Sequence, residues 1–283
     1  MADHQAQIQQ FITAALHEDV QSGDYSSLAC IPADARGKAL LKVKEDGVLA
    51  GIELAQAIFK QVDPTVIMHI HFMDGQRVQN GQVAFEVELG VQALLKAERL
   101  VLNTMQRMSA IATLSSTYVN EVAGTGAVIL DTRKTTPLFR YFEKWAVRIG
   151  GASNHRMGLY DMVMLKDNHI DFAGGIRAAV EATKTYLKEK QLQLPIEVET
   201  RTLADVEEVL ACSGVDRIMF DNFSIDDMQR AVQLVNKSIE TEASGGVNLK
   251  TVRSIAETGV DFISVGALTH GVKSIDLSLK ASF

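Results

Sequence analysis

The chain has 283 residues, of which 47% are hydrophobic and 22% are charged, and this composition predicts a globular protein with a substantial apolar core. Its formal net charge of -7 argues against general binding to nucleic acids or acidic membranes, because phosphate-rich surfaces select proteins with net positive charge. No uninterrupted apolar stretch is long enough to cross a bilayer, and no signal-like segment opens the chain. Cys30 and Cys212 lie in no CxxC pattern. We therefore expect a cytoplasmic protein with reduced thiols.

The first part of the chain carries short, strand-like signals. Apolar and polar residues alternate in VIMHIHF and VAFEVEL, and glycines mark the turn between these two runs. ALLKV and GVLA precede them, and helical patterns cover roughly residues 6–16 and 53–61. These signals predict an α+β module with antiparallel strand pairing.

A long helical pattern follows, from about residue 92 to residue 123. Its apolar residues recur at steps of three and four, as expected for a helix with one buried face. We expect this helix to link the first module to the rest of the chain. The residues that supply much of the stripe are Leu94, Leu95, Leu102, Met105, Ile111 and Ala112.

After Gly124 the pattern becomes an alternation of strands and helices, which predicts a parallel sheet with crossover helices. The predicted helices cover residues 176–190, 203–212, 225–236 and 249–258, and the predicted strands cover residues 127–130, 161–165, 195–198, 217–220, 238–241 and 261–265. Six strands in about 160 residues are too few for an eight-stranded barrel of about 250 residues. The alternatives are a shortened barrel and an open doubly wound sheet. Polar residues follow all six strands, which favours the barrel, since its sites form where parallel strands end.

Positive charge is concentrated between residues 131 and 170. This stretch contains seven Lys or Arg residues and four acids, a local balance of +3 that leaves -10 for the remainder. Such a cluster is costly unless acids neutralise it or an anionic ligand binds, so it favours a small molecule with at least two negative charges. A solvated basic face is the alternative. The candidate ligand-binding cations are Arg133, Lys134, His155, Arg156 and Lys166.

Two further groups of residues follow the predicted strands. Glu199 and Asp221 are suited to hold Mg²⁺ together with ligand oxygens, although they could instead be counterions for the cations. Glu197 and Glu242 are secondary candidates for the same role. The glycine-rich segments SGG at 244–246 and VGAL at 265–268 could bind phosphate through backbone N–H groups, helped by a helix dipole. Taken alone, SGG is weak support, because most glycine pairs only turn the chain.

Several long motifs resemble those of the quinolinate phosphoribosyltransferase family. They occur in the family's order over nearly the whole chain, which makes the resemblance far more specific than any short pattern. The motifs are HEDVQSGD (17–24), AERLVLNTMQRMSAIAT (97–113), TRKTTP (132–137), GGASNHRMGL (150–159), LKDNHI (165–170), IEVE (196–199), FDN (220–222), EASGG (242–246) and ISVGALTH (263–270).

The resemblance implies a fold with an α+β open-faced sandwich domain over residues 1–112 and an incomplete α/β barrel over residues 113–272. A tail over residues 273–283 would pack back on the first domain. It also implies an Mg²⁺-dependent reaction of quinolinate with phosphoribosyl pyrophosphate, which gives nicotinate mononucleotide, pyrophosphate and CO₂ for NAD synthesis. The assembly implied is a homodimer or larger homo-oligomer, with Arg99 reaching the neighbouring subunit's site.

The resemblance also implies roles for individual residues. Arg133, Lys134, His155, Arg156 and Lys166 would surround the quinolinate carboxylates, beside Thr132 of the same TRK motif, and Lys134 and Lys166 would also take part in catalysis. Glu199 and Asp221 would serve the Mg²⁺ and the ribose. The phosphate would be held by Ser244, Gly245, Gly246, Gly266, Ala267 and Leu268.

Two other functions remain possible at this stage. One is a barrel aldolase in which Lys166 forms a Schiff base with a sugar phosphate, although that reaction would leave the TRK and HR motifs without a role. The other is a sensor that binds phosphorylated metabolites without turnover. RNA binding is disfavoured, because the chain is acidic and lacks a platform of aromatic and basic residues.

Overall fold

The computed structural model of the chain describes residues 2–282. The helices are α1 (Ala2–Val20), α2 (Tyr25–Cys30), α3 (Ile52–Val62), α4 (Val91–Glu121), α5 (Arg140–Ile149), α6 (Asp167–Ala173), α7 (Ile176–Lys190), α8 (Leu203–Leu210), α9 (Ile225–Val235), α10 (Val252–Ala256) and α11 (Ala267–His270). The strands are β1 (Arg36–Val43), β2 (Gly47–Val48), β3 (Ile67–Ile70), β4 (Arg77–Val78), β5 (Val83–Gly90), β6 (Val128–Leu130), β7 (Val163–Leu165), β8 (Ile196–Thr200), β9 (Arg217–Asp221), β10 (Glu240–Ser244), β11 (Phe262–Ser264) and β12 (Leu277–Ser282).

One compact unit comprises residues 2–114, 141–150 and 272–282. Its main sheet has four antiparallel strands in the order β12-β1-β5-β3. Alternate residues of β1 are buried, as expected for a sheet with one face on a core. Most of the buried side chains of this unit are apolar, and they include an edge-to-face pair between Phe59 of α3 and Phe85 of β5, whose ring centres are 6.1 Å apart.

The second unit comprises residues 115–140 and 151–271 and is built on six parallel strands. The strand order is β6-β11-β10-β9-β8-β7, so β6 and β7 are the two edges of the sheet. Helices alternate with the strands, as the pattern after Gly124 predicts. The α/β class, with a shortened barrel preceded by an α+β sandwich, is confirmed.

Several elements differ from those expected from the sequence. Helix α7 has the predicted bounds, but α10 is limited to five residues and β10 begins at Glu240, two residues later than expected. Helix α5 falls inside the predicted catalytic domain of residues 113–272, whereas its contacts group residues 141–150 with the first unit. The C-terminal segment forms β12, which pairs with β1. No helix within residues 2–282 has the length and apolar character needed to span a membrane.

Candidate active site

The carboxyl ends of the barrel strands surround a cavity of about 580 Å³. Parallel strands all end at the same face of a barrel, so side chains distant in sequence meet there. The predicted site residues that line it are Thr132, Arg133, Lys134, His155, Arg156, Lys166, Glu199, Asp221, Ser244, Gly245 and Gly246. All of them belong to the second unit.

The remaining predicted site residues lie elsewhere. Gly266 lies beside Lys134, since a Cβ atom added to the glycine would be 3.1 Å from the lysine Cδ. Ala267 and Leu268 begin the short helix α11, and Leu268 is fully buried rather than part of the cavity lining. Arg99 is exposed on α4 in the first unit. Its predicted reach into a neighbouring subunit stays a prediction.

The segment after β6 brings two cations to the cavity. Thr132 accepts a hydrogen bond from the backbone N–H of Lys134, and the Lys134 carbonyl accepts one from the Thr269 hydroxyl at 2.7 Å. The side chain of Arg133 is half-buried, and its Nε makes no hydrogen bond to any residue between 2 and 282. A buried N–H donor without an acceptor is costly, which suits a cavity built to receive an anion.

Arg156 adds a second guanidinium group near the first. Its Nη1 donates to the carbonyl of Met162 at 3.0 Å. Burial lowers the pKa of Arg156, and the positive charge of Arg133 lowers it further. Two like charges held this close without a ligand repel each other, and an anion placed between them would relieve that repulsion.

His155 lies at the floor of the cavity, with Nε2 3.0 Å from Glu197 Oε2 and 3.3 Å from Glu242 Oε2. All three side chains are buried. Burial alone would lower the pKa of His155, but the negative charges of the two glutamates outweigh it and raise the pKa. Both ring nitrogens face protein groups, because Nδ1 lies 2.7 Å from the backbone N–H of Arg156.

The proton on the His155 ring can be assigned from these contacts. The Arg156 N–H opposes the rise in the pKa of His155, because it needs a lone pair on Nδ1 and so favours the ring with its proton on Nε2. With its proton on Nε2, the ring directs that N–H toward Glu197 and Glu242.

Glu199 lies on β8 and Asp221 lies on the adjacent parallel strand β9. Glu199 Oε2 lies 3.7 Å from Lys166 Nζ, and burial raises the pKa of this carboxyl group. Asp221 Oδ2 accepts a hydrogen bond from the side chain of Asn222 at 2.9 Å. The cavity therefore has oxygen ligands on the side formed by β8 and β9.

The glycine-rich segment after β10 is tightly packed at one position. Gly245 has a φ of 92°, and a Cβ atom there would be 2.2 Å from Asn222 Oδ1. The backbone N–H of Asn222 in turn donates to the carbonyl of Ser244 at 2.9 Å. Only glycine fits this position. The sequence predicts a helix close behind this segment, but α10 begins six residues after Gly246. The expectation that a helix dipole helps to bind phosphate here is therefore wrong.

The cavity also has lining residues that the sequence did not single out, namely Met164, Met219, Asn222 and Ser264. Three of them lie two positions before a predicted site residue, where strand alternation turns a side chain to the same face. Glu242, a secondary candidate, has the same spacing to Ser244. Counting back by two from the predicted site residue at each strand end would have found Met164, Met219, Ser264 and Glu242, but not Asn222.

The fold and the cavity together define an α/β-barrel enzyme that acts on a small molecule with several negative charges. Family models for the N-terminal and C-terminal domains of quinolinate phosphoribosyl transferase match residues 24–109 and 111–280. The chain belongs to the quinolinate phosphoribosyltransferase family, as the motifs predict.

Individual relatives agree with this assignment. Quinolinate phosphoribosyltransferase (decarboxylating) 1b of Nicotiana tabacum is 47% identical over 284 residues, which cover 95% of this chain and 81% of the relative. A probable nicotinate-nucleotide pyrophosphorylase (carboxylating) of Bacillus subtilis is 40% identical over 273 residues, with coverage of 96% and 93%. The crystal structure of NadC from Streptococcus pyogenes superposes with a TM-score of 0.92 at 39% identity and covers 98% of this chain and 96% of that one.

Proposed function

We propose that this cavity joins quinolinate to phosphoribosyl pyrophosphate and releases nicotinate mononucleotide, pyrophosphate and CO₂, the reaction that supplies de novo NAD synthesis. The observation that carries the proposal is the pair of guanidinium groups on Arg133 and Arg156, one of which has a buried Nε without an acceptor in residues 2–282. Family membership supports the same reaction, and it favours this reaction over the aldolase and sensor alternatives.

Quinolinate carries two carboxylates on neighbouring ring carbons. Arg133 and Arg156 would bind them through charge-assisted hydrogen bonds, with Lys134 and Lys166 adding mobile positive charge. Met164 and Met219 supply apolar atoms in an otherwise polar lining, which suits the face of an aromatic ring. His155 would support this group from the floor of the cavity.

The chemistry begins when the pyridine nitrogen attacks the anomeric carbon of the ribose and the bond to pyrophosphate breaks. Positive charge grows on the sugar, and the carboxylates of Glu199 and Asp221 would stabilise it. Lys134 and Lys166 would stabilise negative charge on the departing oxygens. The C2 carboxylate then leaves as CO₂, and its electron pair remains on the ring carbon beside the quaternary nitrogen until a proton arrives.

The cavity has a donor set that suits Mg²⁺. Glu199 and Asp221 offer carboxylate oxygens, which this ion prefers, and they are too few to enclose it without ligand oxygens and waters. When bound, the ion would neutralise charge on the pyrophosphate group. Phosphate oxygens would bind the segment at Ser244–Gly246, whose backbone N–H groups need no charged side chain. Phosphate binding by Gly266, Ala267 and Leu268 stays a prediction, because Leu268 is buried outside the cavity lining.

We also propose that the protein works in the cytoplasm as a homodimer or larger homo-oligomer in which Arg99 serves a neighbouring site. The two free cysteines, Cys30 and Cys212, are consistent with a reducing compartment. A partner role for Arg99 is supported by its exposure on α4. The net charge of -7 disfavours nucleic-acid or membrane partners.

Comparison of quinolinate with nicotinate tests the proposal. The protein, Mg²⁺ and phosphoribosyl pyrophosphate are incubated with each acid, and pyrophosphate release is measured. We expect kcat/KM to be about 100-fold higher or more for quinolinate, since nicotinate leaves one cationic group without its carboxylate. Equal rates with the two acids would contradict the assignment of a dicarboxylate site.

A further inference from the structure

The loop that carries Arg156 has an unusual set of hydrogen bonds. The four consecutive backbone N–H groups of residues 155–158 all donate to side chains rather than to other backbone groups. Asp131 accepts the first at 2.9 Å, the ring of His155 accepts the second at 2.7 Å, and Asp161 accepts the third and fourth at 2.7 and 3.0 Å. The backbone on both sides of Arg156 is therefore fixed by buried or half-buried side chains.

Of these acceptors, the His155 ring is the one that bonds Arg156 itself. A histidine ring can rotate about its side-chain bonds, so Nδ1 stays in place only if the opposite nitrogen is also held. Glu197 Oε2 and Glu242 Oε2 hold it, at 3.0 and 3.3 Å from Nε2. Both glutamate side chains are fully buried, at 0% exposure.

The negative charge of this cluster is also balanced within the barrel. Arg217 Nη1 donates to Glu242 Oε2 at 3.1 Å, and its other nitrogens donate to Glu240. The guanidinium group stacks on the ring of Phe262, 3.9 Å from its centre. Glu242 thus has a cationic partner outside the lining of the substrate cavity.

We propose that Glu197 and Glu242 are positioning residues that act through His155 to hold Arg156 in place for one carboxylate of the substrate. The inference rests on the proposed function, because it assigns the dicarboxylate to the cavity above His155. It predicts that losing these glutamates weakens binding of the pyridine acid specifically. Phosphoribosyl pyrophosphate, which would bind at the glycine-rich and acidic side of the cavity, should be unaffected.

Steady-state kinetics of Glu197→Leu and Glu197→Gln test the inference. Leucine removes the acceptor, whereas glutamine keeps the length of the side chain and one acceptor oxygen. We expect KM for quinolinate to rise about 10-fold or more in the leucine variant and KM for phosphoribosyl pyrophosphate to stay within about twofold. Glutamine should restore most of the loss.

Glu240→Gln is the matched control, because Glu240 bonds the same arginine but does not contact His155. Both KM values should stay at the wild-type level in this variant. Circular dichroism and thermal unfolding check that each variant folds. If the leucine variant does not fold, the test uses the dissociation constants of the Glu197→Gln variant for quinolinate and for phosphoribosyl pyrophosphate. We expect the constant for quinolinate alone to rise, by about 2- to 5-fold.

The outcomes separate the two proposals. A wild-type protein that does not use quinolinate removes the proposed function, and the inference falls with it. A wild-type protein that uses quinolinate, together with a Glu197→Leu variant whose two KM values are unchanged or rise equally, overturns the inference alone. A glutamine variant no better than the leucine variant would also overturn it.

Discussion

The two units of the molecule use buried charged side chains differently. The first unit has a largely apolar core that includes Phe59 and Phe85. Its buried Glu143 is paired with Arg107 at 2.8 Å, and neither residue lines the cavity. The second unit buries Glu197 and Glu242 on barrel strands, where barrels commonly hold branched aliphatic residues, together with His155 from a loop that lines the cavity. Apolar burial stabilises a fold, whereas buried charged groups mainly impose geometry and cost desolvation. The first unit thus gains stability from its core, and the second uses its interior to arrange the site.

The largest effect should follow from Arg133→Ala, a change within the barrel. Loss of this guanidinium group removes a charge-assisted contact to the substrate, and we expect kcat/KM with quinolinate to fall by about 100-fold or more. The melting temperature should change little, because Arg133 Nε has no partner within residues 2–282. Arg230→Ala is a surface control with 69% of its side chain exposed. Normal turnover in Arg133→Ala would remove this residue from the site.

Phe85→Ala should mainly reduce stability, whereas Arg133→Ala should mainly reduce activity. Removal of a fully buried phenyl ring leaves a cavity, and we expect a loss of about 3–5 kcal/mol in the free energy of unfolding. Glu197→Leu should cost less, about 1–3 kcal/mol, because it leaves His155 paired with Glu242 alone. Urea denaturation of both variants measures the contrast. A larger loss in Glu197→Leu than in Phe85→Ala would reverse the comparison of the two units.

Gly245→Ala tests the packing at the end of β10. A methyl group would be 2.2 Å from Asn222 Oδ1, in a backbone conformation with a φ of 92°. We expect a loss of about 1–3 kcal/mol in stability and weaker binding of pyrophosphate. Gly246→Ala is the matched comparison for stability, since its φ of 61° is also left-handed but nothing lies within 4 Å of its added Cβ. Equal behaviour of the two variants would argue against a role for the Asn222 contact.

The smallest effect concerns pH. Burial alone would raise the pKa of Asp261, but hydrogen bonds from Lys237 and Thr241 outweigh it and lower the pKa. Since the folded pKa is below the unfolded value, the stabilisation is present above about pH 4 and is lost as the pH falls through the folded pKa. Asp261→Asn should reduce the drop in stability between pH 5 and pH 3 by at most about 1 kcal/mol. Denaturation curves at both pH values measure this, and an unchanged drop would contradict it.

The sequence predicts the barrel well where strands and helices have ordinary hydrophobic patterns, as at α7. It predicts β10 less well, because Glu240 and Glu242 are charged and interrupt the apolar run, although Glu242 is fully buried. Helix α5 was not predicted from the sequence, because it lies within the basic stretch, although its residues Phe142 and Val147 are buried. Sequence order also does not reveal that residues 141–150 group with the first unit.

The site, like the fold, could be predicted only in part from the sequence. Motifs and strand ends identify Arg133, Arg156 and Lys166, and the structure brings all three to one cavity. The contacts of His155 could not be read from the sequence, because its partners lie 42 and 87 residues away and their spacing carries no local signal. Only the three-dimensional arrangement shows that both ring nitrogens face the protein.

A crystal structure of the protein with quinolinate bound tests the central claim most directly. We predict that the two ring carboxylates lie within about 3 Å of the guanidinium groups of Arg133 and Arg156, with the ring nitrogen facing the side of the cavity formed by Glu199 and Asp221. Quinolinate bound outside this cavity, or with its carboxylates away from both arginines, would contradict the account.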